Sequence, residues 1–476
     1  MGFFGNLFRQ LPKPAAMQGP VVRARFDAAE SQDDRRHWAN SDWFSMDGAL
    51  TPVVRRTLRN RARYERLNNS YLAGISQTLA YDLIGTGPRL QLNTGDQDAD
   101  RAIEKVFFDW SWNVDLAGKL RTMRQAKLID GEAFAMFFTN PRLDGVQLDI
   151  RLIEAEMVAT PIGMYIPDTT PEGSIVDGLE FDDAGNVLAY KVLKYHPGSN
   201  YRVSNFEFNR VPAENVVHWF SRLRPAQHRG VSEVAPALRL FAQLRRYTDA
   251  VIAAAETAAD FAAFLHTNSP AAEVDDVDAF AEMPIEKRSL VTLPEGWDVS
   301  QLKAEQPTAN FGEFRRNILN EIARCLQIPY NIAALDSSSY NYASGRMDHQ
   351  IYASSQRVQR DTLERLMLDR TLRAWLDEAV LLGIVPGGLP PINEWQWAWV
   401  WDGKEHVDPS KEASATETRL RTHTTTLASE YAKQGKNWES ELRQRSAEIK
   451  LMEQLGLLVD IQPEVNYGGD LAESDQ

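Results

Sequence analysis

The chain has 476 residues, 43% hydrophobic and 25% charged, with 66 acidic against 52 basic side chains and a formal charge of −14. That length suits two or three domains of about 100 to 200 residues, and the composition excludes a disordered, collagen-like or low-complexity chain. The acidic excess argues against tight, sequence-independent DNA binding, and a lone cysteine, Cys325, excludes an internal disulfide and a Cys-type zinc site.

The first 50 residues mix prolines, Asp33-Asp34-Arg35-Arg36 and isolated aromatics without periodicity, which reads as a mobile N-terminal arm over 1–50. Phe3, Phe4, Leu7 and Phe8 form a short amphipathic patch that Pro12 and Pro14 stop before the length of a signal-peptide core, so the chain reads as cytoplasmic. From Thr51 the pattern turns helical. Arg55, Arg59, Arg63 and Arg66 share one helix face, which reads either as solvated, as paired to the acids of a neighbour, or as a phosphate or inter-subunit contact.

Residues 100–140 predict two helices, one around Ile103, Phe107 and Trp110 and one from Asp115 to Ile129. The period then changes. Phe134–Phe138, Leu148–Ile153, Gly178–Phe181, Leu188–Leu193 and Val216–Trp219 predict strands, with Asp182-Asp183-Ala184-Gly185-Asn186 as a hairpin connection. Val231 to about His266 predicts one long helix or a broken pair, with Pro236 in its first turn. Residues 267–310 lose the helical pattern and carry Glu273, Asp275, Asp276, Asp278 and Glu282 in a row, which suits a small α/β insertion with an acidic face.

A helix resumes from Phe311 to Gln327 and ends at Pro329. Asp336, Ser337, Ser338, Ser339, Tyr340 and Asn341 form a polar loop before a helix running to about Leu382, whose apolar face is read as Ile351, Val358, Leu366, Trp375, Ala379 and Leu382. Trp395, Trp397, Trp399 and Trp401 stand at the strand period and share one face, where they either stack sugars or bury against a second layer or subunit. Pro409 to about Leu458 predicts helix broken at Gly435, followed by an acidic tail. The stretch 250–265 carries Glu256 and Asp260 and fails as a membrane span of about 20 apolar residues.

The sequence contains no phosphate-loop, H-E-x-x-H, G-x-S-x-G or G-x-G-x-x-G signature, so neither catalysis nor a cofactor is expected. Among eight histidines, only His218 with His228, or His423 with its threonines, invites a site reading, and no metal site is expected. The carboxylate pairs Asp182-Asp183 and Asp275-Asp276 read as solvated turn acids.

Taken in order, several segments resemble the lambda-type family of phage portal proteins. They are the arginine helix with Asn68-Asn69-Ser70-Tyr71, Asp130-Gly131-Glu132, Val217-His218-Trp219-Phe220 with Arg224 to Val231, Asn341-Tyr342-Ala343-Ser344-Gly345-Arg346, Trp401-Asp402-Gly403, and Val407 to Glu412. The likeness spans roughly residues 51–460, and Gly345 departs from the serine or alanine more usual there. It implies an α+β portal fold: a wing over 51–230, a helix over 231–266 leading into the stem, a clip over 267–306, a stem helix over 307–330, a tunnel loop over 331–345, a long helix and wing strand over 346–404, a crown over 405–460 and a tail over 461–476.

The function so implied is a ring, usually of twelve copies, at one vertex of a virion capsid, assembled in the host cytoplasm. Double-stranded DNA passes loosely held through its hole during packaging, retention and ejection. Its partners would be the packaging motor (terminase), head-tail connector proteins and the major capsid protein, with no membrane. In this reading 336–341 line the channel and the acids of the 267–306 insertion dock a partner. The competing readings are a carbohydrate-active enzyme built on the Trp395–Trp401 strand and a non-ring virion adaptor.

Overall fold

Local signals start and stop the N-terminal helices. The computed structural model describes residues 41, 43–160, 169–170, 173–199, 207–259, 263–267, 297–301, 308–403 and 409–457. Helix α1 (Met46–Ala49) is followed by α2 (Pro52–Asn68), which starts with Thr51 accepting from the Val54 amide and Pro52 in the first turn. Asn69 then caps α3 (Ser70–Ile84) through the amides of Tyr71 and Leu72. Strand β1 (Arg89–Asn93) precedes α4 (Gln97–Asn113), capped by Asp96, and α5 (Leu116–Ile129), capped by Asp115.

The chain next turns to sheet: β2 (Glu132–Thr139), β3 (Leu148–Ile153), β4 (Thr169–Thr170), β5 (Gly173–Val176), β6 (Leu179–Phe181), β7 (Val187–Leu193), β8 (Phe208–Pro212) and β9 (Val216–Phe220). Strands β3, β2 and β9 make one antiparallel sheet, and β4 to β8 make a second in sequence order. The hairpin expected over 182–186 joins β6 and β7, with Asp182 accepting from the amides of Ala184 and Asn186.

Helix α6 (Leu238–Ala259) is shorter than the sequence suggested. Residues to His266 were expected to be helical, yet Ala263–Thr267 forms β10 and pairs antiparallel with β11 (Trp297–Gln301). The partner strand lies some thirty residues away in sequence, and a distant ladder overrides local helix propensity. The acidic run Glu273 to Glu282 lies outside the described residues, as do most of the arm and the whole acidic tail.

Helices α7 (Thr308–Cys325), α8 (Tyr330–Ala334), α9 (Tyr342–Leu363) and α10 (Asp369–Leu381) follow, and a π-helical turn over Glu364–Leu368 joins the last two. That turn corrects the expected apolar face. Trp375 and Ala379 are buried and Leu366 is half-buried, but Ile351 and Val358 are 68% and 65% exposed and Leu382 is exposed. The buried line is instead Tyr352, Leu363, Met367, Leu368 and Leu372. One residue inserted into a helix rotates everything after it by about 100°, which a uniform period does not anticipate.

Strand β12 (Gln396–Val400) pairs with β1, and the C-terminal part is α11 (Pro409–Arg421), α12 (Leu427–Lys433) and α13 (Trp438–Gln454). The expected break at Gly435 is present, and a second lies at 422–426. The largest core joins α4, α5, the β2 sheet, α10 and the tryptophans of β12. A second joins α2, α3, α6, α7 and α8, with half-buried Cys325 packed against it.

Trp375 is fully buried, with its ring 5.2 Å from Phe107 in an edge-on contact. Trp375→Ala should therefore cost about 3–5 kcal/mol, read as a lowered urea midpoint.

Candidate functional site

The arginine face of α2 points inward. Arg55 pairs with Asp177, Arg59 lies 3.3 Å from Glu132 and 3.2 Å from Glu156, and Arg63 grips Asp130 at 2.7 Å and Glu156 at 3.0 Å. Arg66 donates to Gln125 at 2.5 Å and Ser76 at 3.3 Å. Of the readings left open, pairing to acids therefore holds for Arg55, Arg59 and Arg63, within the chain itself, while Arg66 is held by neutral partners. Arg55 and Arg59 are buried and cannot meet a phosphate in this fold.

At the centre lies Glu132, whose side chain has no solvent exposure. Arg229 donates to it bidentately at 2.9 and 2.7 Å, the Gly230 amide donates at 2.9 Å, and His218 Nε2 lies 3.1 Å away. Arg229 also reaches the carbonyls of Val158 at 2.8 Å and Asp177 at 2.6 Å. Asp177 is placed by a two-residue hairpin turn with φ of 38° at Asp177 and 86° at Gly178, the Asp-Gly signature of such turns. Guanidiniums of Arg55, Arg59, Arg63 and Arg229 thus face carboxylates of Asp130, Glu132, Glu156 and Asp177, a balance that burial demands.

Two glycines permit this crossing. A Cβ on Gly131, whose φ is 93°, would lie 2.2 Å from the Val231 carbonyl carbon, and one on Gly230 would lie 2.2 Å from the Gly131 oxygen. The motifs Asp130-Gly131-Glu132 and Arg229-Gly230-Val231, far apart in sequence, are the two sides of one contact. The sequence singled them out by resemblance only and missed Asp177 and Glu156 altogether. A hairpin signal at Asp177-Gly178 was the available clue.

Burial raises the Glu132 carboxyl, but the Arg229 charge and the bonds from His218 and Arg229 outweigh it and hold Glu132 well below the usual carboxylate range. Burial lowers His218 despite its bond to Glu132, and its ring stacks between Phe134 and Phe220 at 4.1 and 4.4 Å. Burial and the neighbouring Arg229 push Arg55 down to about 9. His228 does not join His218 in a site; it bonds Asp47 at 2.6 Å and ties α1 to the loop after β9. His423 sits at the end of α11 in a left-handed turn. Glu154, Glu156 and His196 bring three potential metal ligands together, yet Arg63 and Arg59 already occupy the carboxylates.

Trp397 and Trp399 of β12 and the flanking Trp401 point onto α10 and the preceding π turn. Trp397 and Trp399 donate to Asp369 at 2.9 and 3.0 Å, Trp401 to Glu364 at 2.6 Å and Trp395 to the Pro390 carbonyl at 2.8 Å. Trp395, Trp399 and Trp401 are buried. A sugar platform needs exposed ring faces, so that reading is corrected: the strand closes a core.

The loop before α9 is compact. Within the 331–345 range, α8 takes the first residues and the loop itself spans 335–341. Leu335 turns left-handed at φ 51°, Asp336 accepts from the Ser338 amide at 2.9 Å, and Asn341 and Ser344 form a reciprocal capping box that starts α9 beside Gly345. Ser337, Ser338 and Ser339 are exposed, and Arg316 of α7 contacts the Ser339 hydroxyl. Hydrogen bonds from Ser338 hold the Asp336 carboxyl below its ordinary value.

A family model described as phage portal protein, lambda family, matches residues 34–357. A probable portal protein of Halomonas phage phiHAP-1 is 26% identical over 480 residues, covering 94% of this chain and 90% of that protein. Among solved structures, the neck of a native GTA particle computed with C12 symmetry aligns with 80% of this chain and 92% of that chain at 13% identity and a TM-score of 0.43. An HK97 family phage portal protein from Corynebacterium diphtheriae aligns with 74% of this chain and 98% of that chain at 10% identity and a TM-score of 0.31.

Breaking the buried pair with Arg229→Ala should cost about 3–5 kcal/mol, since it strands a buried carboxylate, and a lowered urea midpoint reads it. A second cluster, half-buried Glu233 with Arg124 and Lys127, also responds to acid. Burial raises Glu233, but Arg124 at 2.9 Å and Lys127 pull it from 4.5 to about 2. A depressed carboxyl stabilises fully above its unfolded pKa and loses that stabilisation as pH falls toward its folded one. The melting-temperature gap between wild type and Glu233→Gln should therefore shrink between pH 4.5 and about 2.

Proposed function

The chain belongs to the lambda family of phage portal proteins, and we propose that it assembles as a ring of twelve at one vertex of the phage head, through which DNA is packaged, retained and ejected. Its role is structural rather than enzymatic. The observation that carries this reading is the family match from residue 34 to 357, reaching from the arginine helix through the stem region into α9. The same order of elements supports α6 and α7 as the stem pair and α11 to α13 as the crown.

Charge supports a conduit rather than a clamp. Each phosphate neutralised by a cation adds affinity through counterion release, and every such contact resists sliding. Here Arg55, Arg59 and Arg63 of α2 are paired to acids inside the chain, and the net charge of −14 is repeated in every copy. Repulsion screened over about 8 Å acts only near the wall, so DNA is kept off it without being held.

In this ring the loop 335–341 projects into the channel. Its serines offer transient hydrogen bonds to phosphate oxygens without a charge that would grip them, and loops at helix ends are where conformational change is absorbed. The acids Glu273, Asp275, Asp276, Asp278 and Glu282 serve as a docking surface for the packaging motor or connector, because like charge excludes phosphate.

Native mass of the purified chain should give a closed oligomer near twelve subunits, with a central hole in negative stain; a strict monomer at high concentration and physiological salt contradicts the ring, and an open assembly favours the adaptor. A bulky maleimide on Ser338→Cys in a Cys325→Ser background should leave ring formation intact and block DNA packaging or retention. Rings that package and hold DNA equally well with the label place the loop away from the narrow part of the channel.

A further inference from the structure

Helix α13 has seventeen residues and none of them is buried. Its hydrogen bonds to α4 come from its first two turns, where Glu439 lies 3.3 Å from Gln97 and Arg443 lies 3.5 Å from the same side chain. Beyond them the helix and its C-cap carry large apolar side chains in the open: Ile449, Leu451 and the capping Leu455 are 37%, 54% and 62% exposed. A helix that is merely solvated has no use for them.

They fall on two lines rather than one. At about 100° per residue, Leu442, Ile449 and Met452 cluster on one side of α13, and Ala447, Leu451 and Leu455 on another about 150° away. Charge fills the arcs between. Glu441 and Glu448 stand on the narrow arc, while Glu439, Arg443, Lys450 and Glu453 stand on the wide one, which faces the helix's own α4. Arg445 is the one charge on the first line, and Glu448 flanks the second.

A helix packed on one neighbour needs one apolar line. Two lines mean two neighbours, and in a closed ring of twelve identical rods each rod touches its neighbours along lines about 150° apart. The contact is head-to-tail, so the two lines must differ, as these do: the first carries Arg445, which pairs with Glu448 of its own helix at 3.4 Å, and the second is uncharged. We propose that α13 is a stave in a parallel palisade, its Leu442, Ile449 and Met452 line seated on the Ala447, Leu451 and Leu455 line of the next copy. The narrow arc then turns Glu441 and Glu448 toward the ring axis. This inference rests on the ring reading above.

Helices packed about 9–10 Å apart, each with Cα atoms about 2.3 Å from its axis, bring facing Cα atoms to about 4.4–5.4 Å, within reach of a disulfide. Position 449 of one copy faces position 451 of the next, whereas identical positions stay a full helix spacing apart. Ile449→Cys with Leu451→Cys in a Cys325→Ser background should therefore, on mild oxidation, give a ladder of linked species up to the whole ring on a non-reducing denaturing gel. Each single variant should stay monomeric on that gel. Native mass run in parallel separates the two ideas: intact rings with no ladder, or with a ladder from a single variant, overturn the stave contact alone. A chain that is monomeric by native mass overturns the ring itself and the stave with it.

Discussion

A carboxylate with no access to water survives only where fixed charges and dipoles replace its hydration, and Glu132 is the residue around which this chain meets that demand. Arg229 supplies the bidentate pair, His218 and the Gly230 amide complete the shell, and Arg59 brings in α2. The first helix, the central sheet, the β5–β6 turn and the loop leading to α6 are held to one point. Because a half-satisfied network would be worse than an apolar core, these elements are fixed together or not at all.

That constraint shapes what remains outside. Three guanidiniums on α2, those of Arg55, Arg59 and Arg63, are matched by acids of the same chain, while Arg56 and Arg61 of that helix stay exposed. The aromatic strand is likewise turned to internal use, with its indole N–H groups answered by Asp369 and Glu364. The single chain leaves uncovered the small hydroxyls of 337–339 and apolar side chains such as those on α13.

Rigid and adjustable parts adjoin along α7 to α10. Asn341 and Ser344 lock the start of α9, while Leu335 and the exposed serines before it carry no packing load. Farther along, the π turn lets one continuous rod serve two cores, with Tyr352 against the α2–α7 group and Trp375 in the aromatic core. A straight α-helix of the same length would present one face throughout.

By itself the sequence determined the local elements: α4 and α5 from their periodicity, the hairpin at 182–186 from its turn residues, the break at Gly435, and the tryptophan face of β12 from its alternation. These depend on neighbours within a few residues, and such signals are written locally. Tertiary structure alone decided that 263–267 is strand rather than helix, that Ile351 and Val358 face outward, and that the α2 arginines meet Glu132, Glu156, Asp130 and Asp177. The strand and the arginine pairs are set by partners dozens of residues away, and the outward turn of Ile351 and Val358 by the π turn that lets the rod serve two cores; no periodicity in one segment encodes which distant segment will pair with it.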